Sequence, residues 1–286
     1  MTRKGIILAG GKGTRLSPLT KVINKQLLPL YDKPIIFYPL SILMLANIRD
    51  ILIITNPGED NYFKKILGSG SDFGIKLSYT VQPKPRGLSE AFIIGEKFIN
   101  KKKVAMILGD NFFFGQGFTN KLSEIENSPK STIFLYPVKN PENYGVVHLK
   151  KNKINKIEEK PKNPMTNLAI AGLYFFDESV SKYAKKLKPS KRRELEIVDL
   201  INIYKKKKKL QYKLLGRGST WLDTGSIESL YEASQFISNI EKRQGLKIAC
   251  IEEIALEKKW IKKKNIEERI KFYGKCEYSN YLKELV

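Results

Sequence analysis

Cysteine and histidine are almost missing from these 286 residues: Cys250, Cys276 and His148 are the whole supply. With no CxxC spacing and a single histidine, neither a tetrahedral zinc site nor a disulfide framework is expected. Long apolar runs are missing too. Nothing approaches the roughly 18 apolar residues that span a bilayer, and Gly5 to Ala9 is too short for the core of a secretory signal. A cytoplasmic protein without membrane association is expected. Arginine is scarce, at nine residues against 43 lysines. The net charge of +23 would suit a nucleic-acid partner, yet the lysines lie in solvated runs such as Lys101 to Lys103, Lys205 to Lys209 and Lys262 to Lys264. No interleaved aromatics or recognition-helix pattern accompany them, so no specific nucleic-acid function is expected. The excess of Lys, Ile and Asn is what A+T-rich coding produces, and its positive field favours the approach of small anions. No internal repeat is visible.

What is present concentrates in the first thirty residues. The apolar run Gly5 to Ala9 leads directly into Gly10-Gly11-Lys12-Gly13-Thr14-Arg15, with Lys25-Gln26-Leu27-Leu28-Pro29 following. Glycines carry no Cβ, so backbone N–H groups there can close on a phosphate chain. Thr14 adds a hydroxyl, Arg15 a bidentate fork and Lys25 a point charge. Two familiar phosphate motifs are excluded: the Gly-x4-Gly-Lys-Ser/Thr order is absent, and so is the third glycine of Gly-x-Gly-x-x-Gly. An ATPase or a dehydrogenase is therefore disfavoured. A glycine turn alone is equally compatible with plain chain reversal; the two cations are what direct it toward a polyphosphate.

Short apolar runs alternate with helical patterns, the mark of βαβ units and a mostly parallel sheet. Strands are predicted at Gly5 to Leu8, Ile51 to Thr55, Leu77 to Val81, Val104 to Leu108, Thr132 to Pro137 and Ala169 to Phe175. Pro34 suits the first turn of a helix over Ile35 to Ala46, and Ser89 suits the N-cap of one over Glu90 to Phe98. Gly145 to Leu149 and Lys153 to Ile157 read as a β-hairpin. From Ser226 onward the pattern is mainly helical, and Trp260 and Ile261 open a further amphipathic stretch. Asp110 follows an apolar strand, so its carboxylate emerges at the edge where open α/β sheets bind ligands. Asp223, in Trp221-Leu222-Asp223-Thr224-Gly225, is a second acid. Two such carboxylates can cradle Mg2+ with water and phosphate oxygens completing the shell, although an Asp before a turn serves equally as a cap.

Gly-Gly-x-Gly-Thr-Arg-Leu-x-Pro-x-Thr followed by Lys-Gln-Leu-Leu-Pro resembles the signature of the sugar-1-phosphate nucleotidyltransferases, and Lys25 to Leu40 resembles their glucose-1-phosphate thymidylyltransferase branch. The likeness continues through Val81-Gln82-Pro83, Leu108-Gly109-Asp110-Asn111, Tyr144-Gly145-Val146-Val147, Glu158-Glu159-Lys160-Pro161, Gly172-Leu173-Tyr174, Glu194-Leu195-Glu196-Ile197 and Trp221 to Gly225, and so covers essentially the whole chain. It implies a single Rossmann-like α/β domain with a mixed, mostly parallel sheet flanked by helices, a small β-hairpin insertion and a helical C-terminal region. Residues 1–225 would be the catalytic core, nucleotide-binding to about 110 and sugar-binding from 111, with 226–286 for packing and subunit contact.

The implied reaction is Mg2+-dependent transfer of dTMP from dTTP to α-D-glucose 1-phosphate, releasing pyrophosphate. It is the entry to dTDP-rhamnose and other deoxysugars. A homotetramer and feedback by dTDP-rhamnose are implied as well. By the same likeness, Arg15, Lys25, Asp110 and Asp223 are catalytic, the last two holding metal. Leu8, Gly10, Gly11, Gly13, Thr14, Arg15 and Asp110 hold nucleotide, with Gln82 and Gly87 reading the base. Lys25, Gln26, Lys160 and Arg192 clamp the sugar phosphate; Asn111, Gly145, Glu159 and backbone near Ile170 meet sugar hydroxyls, and Leu88, Tyr144 and Tyr174 line that pocket. A sugar phosphate is already largely dianionic at neutral pH, so no general base is required, and His148 is expected to be a solvated strand residue. Lys12, Arg86 and Arg193 depart from the pattern, Arg86 beside the base site. Two alternatives stand beside this reading: the same chemistry with UTP or another nucleotide, and a non-catalytic basic binding protein.

Overall fold

Alternate side chains of one central strand point to opposite layers: Ile7 and Ala9 join one hydrophobic cluster, Ile6 and Leu8 another. The period of two follows from the pleat, and both sides are apolar because both faces of a parallel sheet are covered. Residues 3–286 are described by a computed structural model. In chain order the strands are β1 (Lys4–Ala9), β2 (Pro29–Leu30), β3 (Lys33–Pro34), β4 (Asp50–Thr55), β5 (Lys76–Val81), β6 (Val104–Leu108), β7 (Asn111–Gly115), β8 (Ser131–Pro137), β9 (Gly145–Lys150), β10 (Lys153–Glu159), β11 (Leu168–Phe176), β12 (Leu210–Leu214) and β13 (Ser219–Asp223). The helices are α1 (Phe37–Leu45), α2 (Asp60–Leu67), α3 (Glu90–Ile94), α4 (Glu96–Ile99), α5 (Phe118–Glu126), α6 (Val180–Ala184), α7 (Ile197–Lys206), α8 (Ile227–Gln244), α9 (Ile251–Glu257), α10 (Lys263–Tyr273) and α11 (Glu277–Lys283).

The main sheet runs β10-β9-β11-β6-β1-β4-β5, with β8 on β11 and β12 on β8. Strands β6, β1, β4 and β5 are parallel neighbours, whereas β11 is antiparallel to β6, β8 and β9. β4 and β6 repeat the alternation of β1: Ile51, Ile53, Ala105 and Ile107 face one layer, Leu52, Ile54, Val104 and Met106 the other. Each buried Ile, Leu, Val or Met side chain among these contributes about 2 kcal/mol. The first layer holds α1, buried along almost its whole length, together with Ile251, Ile254, Ile266 and Leu282 from the C-terminal helices. The tail therefore shares the core of the sheet. The second layer takes Phe92 from α3, Val180 from α6, and Ile197 and Ile201 from α7. A smaller third cluster joins Leu16, Leu28, Tyr38 and Phe112 to Ala233 and Ile237 of α8.

Several local expectations change. Pro34 does not open a helix; it pairs with Pro29, and the amides of Ile35 and Ile36 donate to Leu28 O and Gln26 O before α1 starts at Phe37. The predicted helix 90–98 is two pieces meeting at Gly95, where a Cβ would lie 3.1 Å from Ile6 Cδ1 and 3.3 Å from Leu52 Cδ2. Ser89 caps nothing with its side chain, because its hydroxyl donates to Glu196 O at 3.0 Å. Trp260 precedes α10 and seats against Gly74, where a Cβ would be 2.6 Å from Trp260 O. His148 is only 14% exposed in its side chain and pairs with Glu158 at 2.9 Å across the β9–β10 hairpin. The antiparallel pair β7–β13, unread in the sequence, aligns Asn111 with Asp223.

Candidate active site

Four parallel strands deliver their C-terminal ends to one edge. There the chain continues into Gly10 after β1, Asn56 after β4, Gln82 after β5 and Asp110 after β6. The glycine loop is held open by an amide clamp: Gly11 N donates to Asn56 Oδ1 at 2.9 Å, and Asn56 Nδ2 donates to Gly11 O at 3.1 Å. Asn56 also donates to Glu59 Oε2 at 2.8 Å, and the same oxygen accepts from Asn24 Nδ2. Asn24 in turn accepts Gln26 N at 2.8 Å, so one carboxylate locks the loop to the Lys25–Gln26 segment. Gly11 at φ +103° and Gly13 at φ +57° need glycine, and at Gly13 a Cβ would strike Thr20. Leu8 is buried with its carbonyl accepting Gly109 N at 2.9 Å. Thr14 and Arg15 open a single 3-10 turn beyond the loop.

β7–β13 brings the two acids to this edge. Thr224 grips the Asp110 carbonyl twice, by its amide at 3.0 Å and its hydroxyl at 3.0 Å. Asp110 pairs with the Lys25 ammonium and accepts from Asn111 Nδ2 at 2.8 Å. Burial pushes its carboxyl up, but the Lys25 charge and these hydrogen bonds outweigh burial and hold it below the usual carboxylate range. Asp223 goes the other way. Burial and the neighbouring charge of Asp110 raise it, only partly relieved by Lys25, Arg15 and the Tyr144 hydroxyl. Tyr144, pushed up to about 12 by burial and Asp223, stays a protonated donor. Arg15 lies against Gly225, where a Cβ would sit 2.7 Å from its Nη2.

Two adjacent carboxyls, one ionised and one reluctant, suit an additional cation between them. No cluster of three or more potential metal-ligating side chains occurs among the described residues. A hard divalent ion that keeps several waters or phosphate oxygens fits such a pair, whereas a fully protein-caged metal does not. For the metal-free protein, Asp223→Asn is expected to raise the melting temperature at pH 7. The folded carboxyl binds its proton more tightly than the unfolded one, so its contribution is full below the unfolded pKa and lost as pH rises through the folded value. The gain from Asn must then shrink on acidification. Melts in EDTA between about pH 4 and pH 8 test this; a lower melting temperature at pH 7 would contradict it.

Farther along the edge, Gly145 faces Glu159 across β9–β10, and a Cβ there would come 3.3 Å from Glu159 Oε2. Glu159 pairs with Arg192 at 3.0 Å, and Arg192 also binds Glu196 at 2.8 Å. Burial and Glu196 raise the Glu159 carboxyl despite that partner. Lys160 is exposed, at φ +43°, its amide donating to Tyr144 O. Ile170 and Tyr174 are buried and Leu88 is half-buried, all in the second layer. Gln26 is buried with Oε1 lacking a partner. Two residues have tighter duties than sequence suggested. Asn111 Oδ1 accepts Gly172 N at 3.1 Å and Trp221 Nε1 at 2.6 Å, so its side chain positions Asp110. Gly87, at φ +101°, makes room for the backbone of Leu195, 2.6 Å from where a Cβ would lie. Asn24, Asn56 and Glu59 carry no readable motif; Thr224 and Gly225 stood inside one already noted.

Residues 4–240 match the family model described as Nucleotidyl transferase. A protein of Neisseria meningitidis named glucose-1-phosphate thymidylyltransferase is 52% identical over 285 residues, 99% of each chain. One of the same name from Mycolicibacterium smegmatis is 48% identical over 284 residues, again 99% of each. Among solved structures, a Bacillus anthracis protein carrying that name, with sucrose, superimposes with TM-score 0.76 at 39% identity over 82% of this chain and 95% of its own. A UDP-glucose pyrophosphorylase with UDP-glucose gives TM-score 0.74 at 26% identity, covering 85% and 100%.

Proposed function

The chain belongs to the nucleotidyl transferase family, and from that premise we propose that it transfers dTMP from dTTP to α-D-glucose 1-phosphate, giving dTDP-glucose and pyrophosphate. The observation that carries this reading is the convergence of Asp110, Asp223, Lys25 and Arg15 at the mouth of the glycine loop, in a chain near half-identical to thymidylyltransferases along its full length.

A phosphate oxygen of the sugar phosphate attacks the α-phosphorus while the bond to the pyrophosphate oxygen breaks, and no proton has to move. The protein's task is positioning and charge. The Gly10 to Gly13 amides and Arg15 would hold the β- and γ-phosphates, and Lys25 and Arg192 the incoming phosphate. Gln26, with its free acceptor, and Glu159 suit sugar hydroxyl donors. Mg2+ on Asp110 and Asp223 would neutralise triphosphate charge when bound. Asn111 and Thr224 hold Asp110 still, and Arg15 is kept beside Asp223 by the bare backbone of Gly225.

Purified protein with glucose 1-phosphate is expected to release pyrophosphate fastest with dTTP, slower with UTP, and not in EDTA. No release with dTTP, UTP, CTP or ATP would overturn the proposal. The reading extends to a cytoplasmic homotetramer under feedback by dTDP-rhamnose at the head of a deoxysugar route. One observation bears on the assembly: Ile227 and Tyr231, one turn apart on α8, are 50% and 59% exposed and offer a subunit contact.

A further inference from the structure

The amide of Gln82 is not free to turn. Its Nε2 donates to Glu90 Oε2 at 2.8 Å and lies 3.5 Å from Gly87 O. A carboxylate and a backbone carbonyl only accept, so the amide nitrogen is obliged to face them; turning the amide over would bring three acceptors together in a half-buried place. Oε1 must then look back toward the glycine loop, where a Cβ on Gly10 would come within 3.2 Å of it. Glu90 sits on the first turn of α3 with its side chain 14% exposed, and Arg86, the departure noted beside the base site, places Nη1 4.0 Å from Glu90 Oε1. A three-residue chain thus runs from an exposed arginine through a carboxylate to a buried amide.

We propose that Glu90 is a positioning residue for base specificity: by holding the Gln82 amide in one orientation, it makes the nucleotide site present a hydrogen-bond acceptor to the pyrimidine edge. The proposal rests on the reading that Gln82 faces the base. N3 of thymine and of uracil carries a hydrogen and complements Oε1, whereas N3 of cytosine is itself an acceptor and is repelled. Discrimination against cytosine then comes from Glu90, one residue removed from the base. Thymine and uracil are not separated by this device.

The test compares dTTP with dCTP in the wild type, Glu90→Gln and Glu90→Ala, by kcat/KM and by calorimetric binding of each nucleotide without sugar phosphate. A glutamine at 90 can donate to the Gln82 oxygen and permits the turned-over amide; alanine, well tolerated in a helix, releases it. The dTTP:dCTP preference is expected to fall about tenfold or more in both variants, mainly through KM, the size of one mismatched hydrogen bond. Calorimetry should show the same shift. Equal losses for both nucleotides, leaving the ratio unchanged, would make Glu90 merely structural and overturn the proposal. A wild type that binds dTTP no better than dCTP would overturn it too. A wild type that binds selectively but turns over no nucleotide would instead remove the proposed function, leaving the binding ratios to decide the role of Glu90.

Discussion

Asp110→Asn is expected to lower turnover by about a thousandfold, the scale of losing one preorganised charge at a phosphoryl-transfer centre. The change is nearly isosteric, and the amide oxygen can still accept from Asn111 Nδ2, whose bond to Asp110 is 2.8 Å. What disappears is the negative charge facing Lys25, a lysine only 8% exposed. Leaving that ammonium unpaired costs stability as well, about 1–3 kcal/mol. The two effects separate in the double variant Lys25→Met/Asp110→Asn. It should regain stability, since neither charge remains buried, and stay inactive. Pyrophosphate release and urea unfolding on the three proteins read this out; recovery of turnover along with stability would reduce Asp110 to a structural role.

Asn111→Ala carries the largest expected loss of stability. One side-chain oxygen satisfies both the Gly172 amide and the Trp221 indole N–H, and Asn111 itself is 2% exposed. Alanine leaves two buried donors without partners at about 1–3 kcal/mol each, and frees the Asp110 carboxylate from its amide neighbour. A total of about 3–5 kcal/mol is expected in urea unfolding, with turnover depressed even under folding conditions. Gly172 sits where β11 shifts register between Ala171 and Tyr174, and a Cβ there would overlap Asn111 Oδ1. Gly172→Ala should therefore imitate part of the Asn111 defect, although it removes no hydrogen-bonding group. A loss below about 1 kcal/mol for Asn111→Ala would show that water replaces the side chain.

The elements that could be read from sequence are those whose local pattern and tertiary role coincide. β1, β4 and β6 are apolar on both sides because helices cover both sides, so a continuous run was enough. The glycine loop was readable for a similar reason: the residues that shape it are adjacent in the chain. β7 and β13 were not. Asn-Phe-Phe-Phe-Gly has no polar alternation, and its partner lies a hundred residues away, so only tertiary pairing makes either a strand. Asn56 and Glu59 were invisible because asparagine and glutamate at the start of a surface helix look like ordinary turn and cap chemistry. The pairing of His148 with Glu158 was not readable because it is a diagonal contact across the hairpin, His148 lying opposite Lys156 and Glu158 opposite Val146, and so depends on register rather than composition.

The grip of Thr224 on the Asp110 carbonyl, and the packing of Arg15 on Gly225, have a bearing on biosynthesis. The glycine loop leaves the ribosome early, but the strand that presents Asp223 and the residues that steady Asp110 and Arg15 leave late. Until the chain has emerged past Gly225, β7 has an open edge and the two acids have not met. Nascent or prematurely terminated chains that stop before β13 therefore contain the entire glycine loop but lack the strand that brings Asp223 beside Asp110.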